Sequence, residues 1–584
     1  MNGSSSRGVT IDFSNLTVSV KTGQTKTKEI IHGIGGTFAS GSLIGILGPS
    51  GAGKSTLLNA LSGFNTTGMK GDIIINGKRN NMQWYRKRCS YIPQDNDLHH
   101  LLTVEENMKF AADLKLGETV DKKTKNKMIN SILDTYSLSE IKDTPTSKIS
   151  GGQKKRLSVA LELISDPMVM FLDEPTTGLD SFTSSQCIEN LKELANKGKT
   201  VVCTIHQPSA TIFKQFDHVY ILSEGRCLYQ GGTENMLKFL EEIGMPCNLF
   251  HNPADFVLEL ANGEYGSDKI DMMIKYSENG GNRSYMDKYI EDVTNGVYQP
   301  LSGDLHFQSN TYELKTLFRR EFVKLTRNLS LTYLRICATI INGFMISSIY
   351  WNLGENASKI WFNYNLVLCI VINLVMCGIM LTVIVFPMEL GILQKEHFNR
   401  YFRLRSYYIA ITILDLPISI FSTTVSNYII LYFTAQPMEM NRVLMVLSFG
   451  IMVGLIAQSI GLLLGSCLNL RNGVFVGSYV HMPLMLLSGF GLLVKDVPSY
   501  FNIIGYISYM RYAVSGMNVA IYGYNRKKLE CPDDEFCYYT TGASFLKEME
   551  IKDHSFWTDF SCMIAIYFGL RIATYFAITK RLPK

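Results

Sequence analysis

The chain has 584 residues, too many for a single hydrophobic core, so two or more domains are expected. It is 46% hydrophobic with a mean hydropathy of +0.08, high for a soluble protein, and the apolar excess lies after residue 330. A net charge of +5 is too mild to argue for nucleic acid, and no such partner is expected.

Residues 1–19 are polar and hold no apolar core of a signal peptide, so the first half is expected to stay in the cytosol. A strand-like run, Leu43-Ile44-Gly45-Ile46-Leu47, leads into Gly48-Pro49-Ser50-Gly51-Ala52-Gly53-Lys54-Ser55, a match to G-x-x-x-x-G-K-[ST]. Glycines there permit a tight loop whose N–H groups face the phosphates of ATP. Lys54 reaches the β/γ oxygens, and Ser55 ligates Mg²⁺. Thr56 opens a helix whose dipole adds to anion binding. Tyr91-Ile92-Pro93-Gln94 reads as a strand ending in a glutamine, and 122–127 as a solvated face.

Ser150-Gly151-Gly152-Gln153 then opens a helical run, its two glycines allowing backbone N–H groups close to an anion. Met168-Val169-Met170-Phe171-Leu172 is a continuous apolar run, as in a strand buried on both faces. It delivers Asp173-Glu174 at its carboxyl end, where open α/β sheets place their chemistry. Asp173 is expected to hold Mg²⁺ through water, and Glu174 to polarise the hydrolytic water. A further strand over 200–205 delivers His206, in the run His206-Gln207-Pro208-Ser209.

Residues 262–311 are polar and aperiodic, and a flexible linker with room for one short helix is expected. Residues 312–328 place Leu314, Leu317, Phe318, Phe322 and Leu325 on one face, a basic amphipathic helix for the membrane surface. A surface helix of the first domain is the alternative. Hydrophobic segments at about 331–352, 364–386, 408–434, 443–468, 473–494 and 557–578 are each long enough to span a hydrocarbon core of about 30 Å. Lys395, Arg400, Arg403 and Arg405 fall in the loop that this topology puts in the cytosol, which obeys the positive-inside rule. Asn365, Asn373, Asp415, Asn427, Gln458, His481 and Arg571 are the polar groups within the spans. Gly450/Gly454, Gly461/Gly465 and Gly473/Gly477 are spaced for close helix packing. Cys531 and Cys537 lie in the long outer loop, about 495–556, and are expected to form an intrachain disulfide; a bridge between two chains is the rival. Asn356-Ala357-Ser358 is a glycosylation sequon too close to the membrane for sugar to be expected.

Taken together, the P-loop, the run 149–180 and the membrane half resemble a half-transporter of the ABC G subfamily, the White-type group. His251-Asn252-Pro253-Ala254-Asp255-Phe256, Phe386-Pro387-Met388-Glu389, Lys395-Glu396-His397 and Leu487-Ser488-Gly489-Phe490 carry the likeness beyond the cassette. Within that group the chain is most similar to the sterol- and phospholipid-exporting branch. The resemblance implies an α/β P-loop ABC ATPase domain over 1–261, a linker over 262–311, a connecting helix over 312–330 and an all-α six-helix transmembrane domain over 331–584. It makes Gln94 the Q-loop residue that touches Mg²⁺ or the attacking water, 95–148 the helical subdomain, and Asp180 and Ser181 the D-loop. His206 becomes the switch residue on the γ-phosphate. Ser150, Gly151, Gly152 and Gln153 form the signature, which closes over ATP held by another subunit. Phe490 and Gly491 fall where the subfamily has an apolar plug, and a substrate path past Asn365, Asn373 and Phe490 is expected. One departure stands out: Val18 occupies the position where an aromatic residue often stacks on adenine.

A homodimer, or a heterodimer with another G-subfamily half-transporter, in the plasma membrane among membrane lipids and exporting a lipid-like substrate, is the expectation. Pigment precursors, steroid hormone or xenobiotics are the alternative cargoes. A soluble-type ABC ATPase acting on ribosomes or DNA is the alternative class.

Overall fold

The computed structural model describes residues 8–22, 26–78, 82–95, 97–247, 252–278, 309–490, 498, 505–533, 536–551 and 556–583. The chain divides into two units. The first takes in Met1–Thr316 together with Ile392–Arg403 and Pro583–Lys584, and the second takes in Leu317–Gly391 and Leu404–Leu582.

Two sheets build the first unit. Strands β1 (Ile11–Thr22), β2 (Lys26–Phe38) and β4 (Met69–Ile75) form an antiparallel sheet in the order β2-β1-β4. The larger sheet holds β3 (Leu43–Leu47), β5 (Cys89–Ile92), β6 (Val169–Leu172), β7 (Thr200–Thr204), β8 (His218–Ser223) and β9 (Arg226–Gly231) in the order β5-β6-β7-β3-β8-β9. Its first five strands are parallel, and only β9 runs antiparallel. Every residue of β3, β6 and β7 is buried, which is why they read as unbroken apolar runs rather than alternating ones. Phe13 and Phe38 meet Tyr220 at ring separations of 5.8 Å, joining the cores of the two sheets.

Helices Val104–Leu116 and Lys122–Thr135 stand between β5 and β6, with Thr103 and Glu106 forming a capping box on the first. The run 122–127 is exposed as expected except at Lys125. That residue is buried, with its ammonium 2.8 Å from Asp113 and 3.3 Å from the Tyr312 hydroxyl.

Helices Pro253–Asn262 and Ser267–Glu278 continue the first unit past the expected boundary at 261. Met273 of the second is fully buried, so this part of the expected linker is folded. The linker residues 279–308 lie outside the described residues.

In the second unit, Thr332–Ile349, Ala357–Phe398, Leu404–Phe433, Met440–Cys467 and Phe556–Arg581 are long and apolar enough to cross a membrane. The expected segment 473–494 is instead two short helices, Leu470–Tyr479 and His481–Leu486, and its end from 491, Gly491 included, lies outside the described residues. Within the outer loop expected over 495–556, residues 495–497, 499–504, 534–535 and 552–555 do so as well, while helices Tyr509–Tyr522 and Gly542–Glu548 are described. Packing between spans is close: a Cβ added at Gly461 would lie 1.8 Å from Thr382 Oγ1.

Helix Asn310–Arg327 buries some of its charges, while Lys315, Arg319 and Arg327 are exposed. Arg320, Glu321 and Lys324 are buried, Lys324 bridging Glu321 at 2.7 Å and Glu389 at 2.9 Å, while Phe318 and Phe322 are exposed. Cys531 and Cys537 form a disulfide, and the adjoining Glu530 exchanges backbone hydrogen bonds with Glu355 and Ala357.

Candidate functional site

Four adjacent parallel strands bring four motifs to one sheet edge. Gln94 follows β5, Asp173 and Glu174 follow β6, His206 follows β7, and the phosphate loop follows β3, in the spatial order β5-β6-β7-β3. All four carboxyl ends therefore open on the same side.

The loop is shaped by glycine. Gly48 has φ of 151°, and a Cβ there would lie 2.3 Å from the Leu222 carbonyl oxygen, so no other residue fits without moving β8. Pro49, Ser50, Gly51, Ala52 and Gly53 carry the turn into helix Lys54–Ser62, which begins with Lys54, Ser55 and Thr56. Lys54 is buried and its ammonium donates to the carbonyls of Gly48 (2.8 Å) and Pro49 (3.0 Å). Burial lowers its pKa, while Glu174 and Asp173 oppose the shift.

Asp173 is the hub. Its Oδ1 accepts from Ser55 Oγ at 3.0 Å and from Thr204 Oγ1 at 2.6 Å. Thr204 Oγ1 also accepts the Glu174 N–H at 2.8 Å, which fixes the backbone of the second acid. Glu174 adopts φ of +45°, a left-handed conformation uncommon for a non-glycine residue, and it turns the side chain toward its partners. Its Oε2 accepts from Gln94 Nε2 at 2.7 Å and from Thr177 Oγ1 at 2.9 Å. The Ser55 hydroxyl and the Asp173 carboxylate are two hard oxygen donors beside the loop, a set that fits Mg²⁺. His206 is exposed just past β7.

Lys155 was not singled out by sequence. It lies in helix Gly151–Leu163, is 3% exposed, and donates to the carbonyls of Pro93 (3.1 Å), Gln94 (3.3 Å) and Asp173 (3.5 Å). Burial pushes its pKa down to about 8. Thr204 and Thr177 were missed too, since a threonine at a strand end or in a turn carries no distinguishing pattern.

Ser150 and Asp180 are helix N-caps. Ser150 Oγ accepts from Gln153 N, Gln153 Oε1 accepts from Ser150 N, and Asp180 accepts from Thr183 N. Ser150, Gly151 and Asp180 are exposed, and Gly152 packs beside Thr183. Among the described residues no hydrogen bond links this group to the phosphate loop. Val18 is buried between Ile31 and Met69 in the smaller sheet, so it offers no stacking face.

The segment Ile392–Arg403 belongs to the first unit although both its flanks belong to the second. Asn399 acts there as an extra strand partner. Its Oδ1 accepts from Tyr91 N at 2.8 Å and its Nδ2 donates to Tyr91 O at 2.9 Å, satisfying the edge strand β5. His99 bonds Glu396 at 3.0 Å, and the Tyr401 hydroxyl donates to Glu162 at 3.0 Å.

In the second unit the three expected path residues are not gathered at one point. Asn365 is exposed, and Asn373 sits about 12 Å farther along the same helix at 1.5 Å per residue. Phe490 is 40% exposed, and the neighbouring Gly489 carbonyl accepts from the Tyr364 hydroxyl at 3.3 Å, which brings 364–365 beside 489–490. Asn373 Oδ1 accepts from Asn342 Nδ2 at 3.1 Å, whereas its buried Nδ2 has no partner. Asp415 pairs at 3.0 Å with Arg335, a residue sequence reading passed over, and Ser419 links this pair to Gln458.

Comparison with known proteins matches two families, ABC transporter over residues 31–177 and ABC-2 type transporter over 312–522. The broad substrate specificity ATP-binding cassette transporter ABCG2 of Mus musculus is 28% identical over 620 residues, covering 96% of this chain and 93% of its own. The protein of the same description from Rattus norvegicus is 30% identical over 555 residues, covering 87% and 83%. ABC transporter G family member 14 of Arabidopsis thaliana is 28% identical over 604 residues, covering 98% and 92%.

Proposed function

This chain belongs to the G subfamily of ABC transporters, a half-transporter with its cassette ahead of its membrane domain, and we propose that it exports a lipid-like substrate, a sterol or a phospholipid. It is an ATPase coupled to transport, and half-transporters of this subfamily dimerise. The dimer is a homodimer or pairs with another member of the subfamily. Its proposed place is the plasma membrane.

In the proposed reaction Gly48 to Thr56 bind the ATP phosphates through the loop amides, and Lys54 releases its carbonyls to reach them. Ser55, Asp173 and Gln94 would hold Mg²⁺, which when bound neutralises charge on the phosphates. Glu174 takes a proton from the attacking water, and Thr177 and Gln94 orient its carboxylate. His206, from the strand between Asp173 and the loop, contacts the γ-phosphate. Ser150 to Gln153 and Asp180, of which Ser150, Gly151 and Asp180 are exposed on their own chain, complete the site of the partner. Asn399, holding β5 just before Gln94, carries the state of the nucleotide to the loop between two spans.

One observation carries the substrate reading: the buried, unpartnered Nδ2 of Asn373 in a stretch of its helix, 366–381, that is otherwise apolar. A sterol, with one hydroxyl on an apolar body, suits a buried free donor in such surroundings. A broad substrate range is the second reading, favoured by the description of the mouse and rat relatives. Reconstitution in liposomes tests the choice. Stimulation of ATP hydrolysis by sterol or phospholipid, reduced in Asn373→Leu, supports the first reading. Stimulation by unrelated dyes and drugs to the same degree supports the second.

A further inference from the structure

The first unit holds a cluster of cations that the ATP site does not use. Arg86 lies just before β5, and its guanidinium stacks 5.3 Å from the centre of the Phe398 ring. Arg400 faces Arg86, and His397 faces both. Arg86 Nε and His397 Nδ1 are buried without hydrogen-bond partners. No carboxylate faces Arg86, Arg400 or His397 among the described residues. The one neighbour of opposite tendency is the Cys89 thiol, which burial keeps protonated. Burial and then Arg400 lower the pKa of Arg86, the sign of uncompensated positive charge.

The backbone adds an independent sign. Arg400 has φ of +57°, the left-handed conformation that glycine adopts freely after a helix end. An arginine held there pays conformational strain while placing like charge on like charge. A buried donor left unpaired, as Arg86 Nε is among the described residues, costs further stability.

We propose that Arg86, Arg400 and His397 form a binding site for a phosphomonoester anion, distinct from the ATP pocket. Two guanidinium groups offer planar forks of donors suited to phosphate oxygens, and the imidazole adds a third contact. Helix Ile360–Phe398 has 39 residues, about 58 Å, roughly twice a hydrocarbon core. Arg400 thus follows a helix long enough to end well outside the bilayer, where a soluble polyphosphate reaches it as readily as an inositide headgroup. Asn399, beside Arg400, holds Tyr91 of β5, so the bound anion would fasten the segment Ile392–Arg403 to the strand that carries Gln94.

Calorimetric titration of the full-length protein in nanodiscs tests this, with inositol hexakisphosphate as the soluble probe. The ATP pocket is filled beforehand with a non-hydrolysable analogue. Two variants remove charge, Arg86→Gln and Arg400→Gly, and the second also relieves the backbone, so loss of folding does not confound it. The expected result is measurable binding by the wild type, weakened at least tenfold in each variant, with nucleotide affinity unchanged. A second arm uses nanodiscs with and without phosphatidylinositol 4,5-bisphosphate. An Arg400-dependent change in ATP hydrolysis there, without binding of the soluble probe, assigns the phosphate to a lipid and also supports the site. Wild-type behaviour of both variants in both arms, or no response to either probe, overturns the proposal.

Discussion

Glu174 is the residue on which ATP hydrolysis is expected to turn, and its surroundings say how. One oxygen, Oε2, is occupied by Gln94 and Thr177. Glu174→Gln keeps the shape and leaves Lys54, Ser55 and the loop amides in place. ATP binding is expected at the wild-type level while hydrolysis falls at least ~100-fold, the scale of a lost general base. Radioactive nucleotide binding beside phosphate release checks this; equal loss of both would make Glu174 structural. Lys155 gives a pH signature. Its folded pKa of about 8 lies below its ordinary value of 10.5, so the folded chain releases the proton first as pH rises. Its burial therefore costs stability below pH 8, and that cost fades between about 8 and 10.5. Its role runs the other way: the neutral amine has fewer protons for the three carbonyls it holds. Hydrolysis is expected to fall as pH rises through about 8, and Lys155→Arg, charged throughout, should remove that limb. An unchanged profile in the variant would deny Lys155 this role. That the motif residues would come together was legible because a phosphate-binding motif fixes both residue type and spacing. Lys155 and Thr204 were not, because a lysine inside a basic run and a threonine in a buried strand announce nothing until the fold sets them against a carbonyl and a carboxylate.

Among the elements, unbroken apolar runs were read well and charged helices poorly. Strands β3 and β6 were visible because burial on both faces leaves no polar alternation. Helix Asn310–Arg327 was visible as amphipathic, and Phe318 and Phe322 turn outward, but the ion-paired cluster of Arg320, Glu321 and Lys324 that it turns inward was not. The break at Tyr479-Val480-His481 was also illegible, since the composition stays apolar through it. Arg335 was lost inside an apolar segment, although its pairing with Asp415 offsets the cost of both charges in the spans. Either Arg335→Leu or Asp415→Leu alone should lower the melting temperature in detergent, and the double variant should melt closer to wild type than either single one. Additive losses would mean that the pair contributes no coupling.

At the scale of the whole molecule, the order of parts was legible from motif and hydropathy, and the first unit's share of the loop Ile392–Arg403 was not. Nothing in Lys395-Glu396-His397 or Asn399 shows from sequence that a side-chain amide will complete the edge of β5. We propose that each ATP site is built by two chains, phosphate loop from one and signature from the other, and complementation between two variants tests this. Chains carrying Lys54→Ala and chains carrying Ser150→Arg are purified separately and as a co-expressed, doubly tagged mixture, and ATP hydrolysis is measured. Each variant alone has both shared sites broken and should be inactive. The mixed dimer keeps one site whole, with an intact loop from one chain and an intact signature from the other, and should hydrolyse ATP. A mixed dimer as inactive as its parents would contradict the shared site, and so would full activity of the Ser150→Arg chain alone.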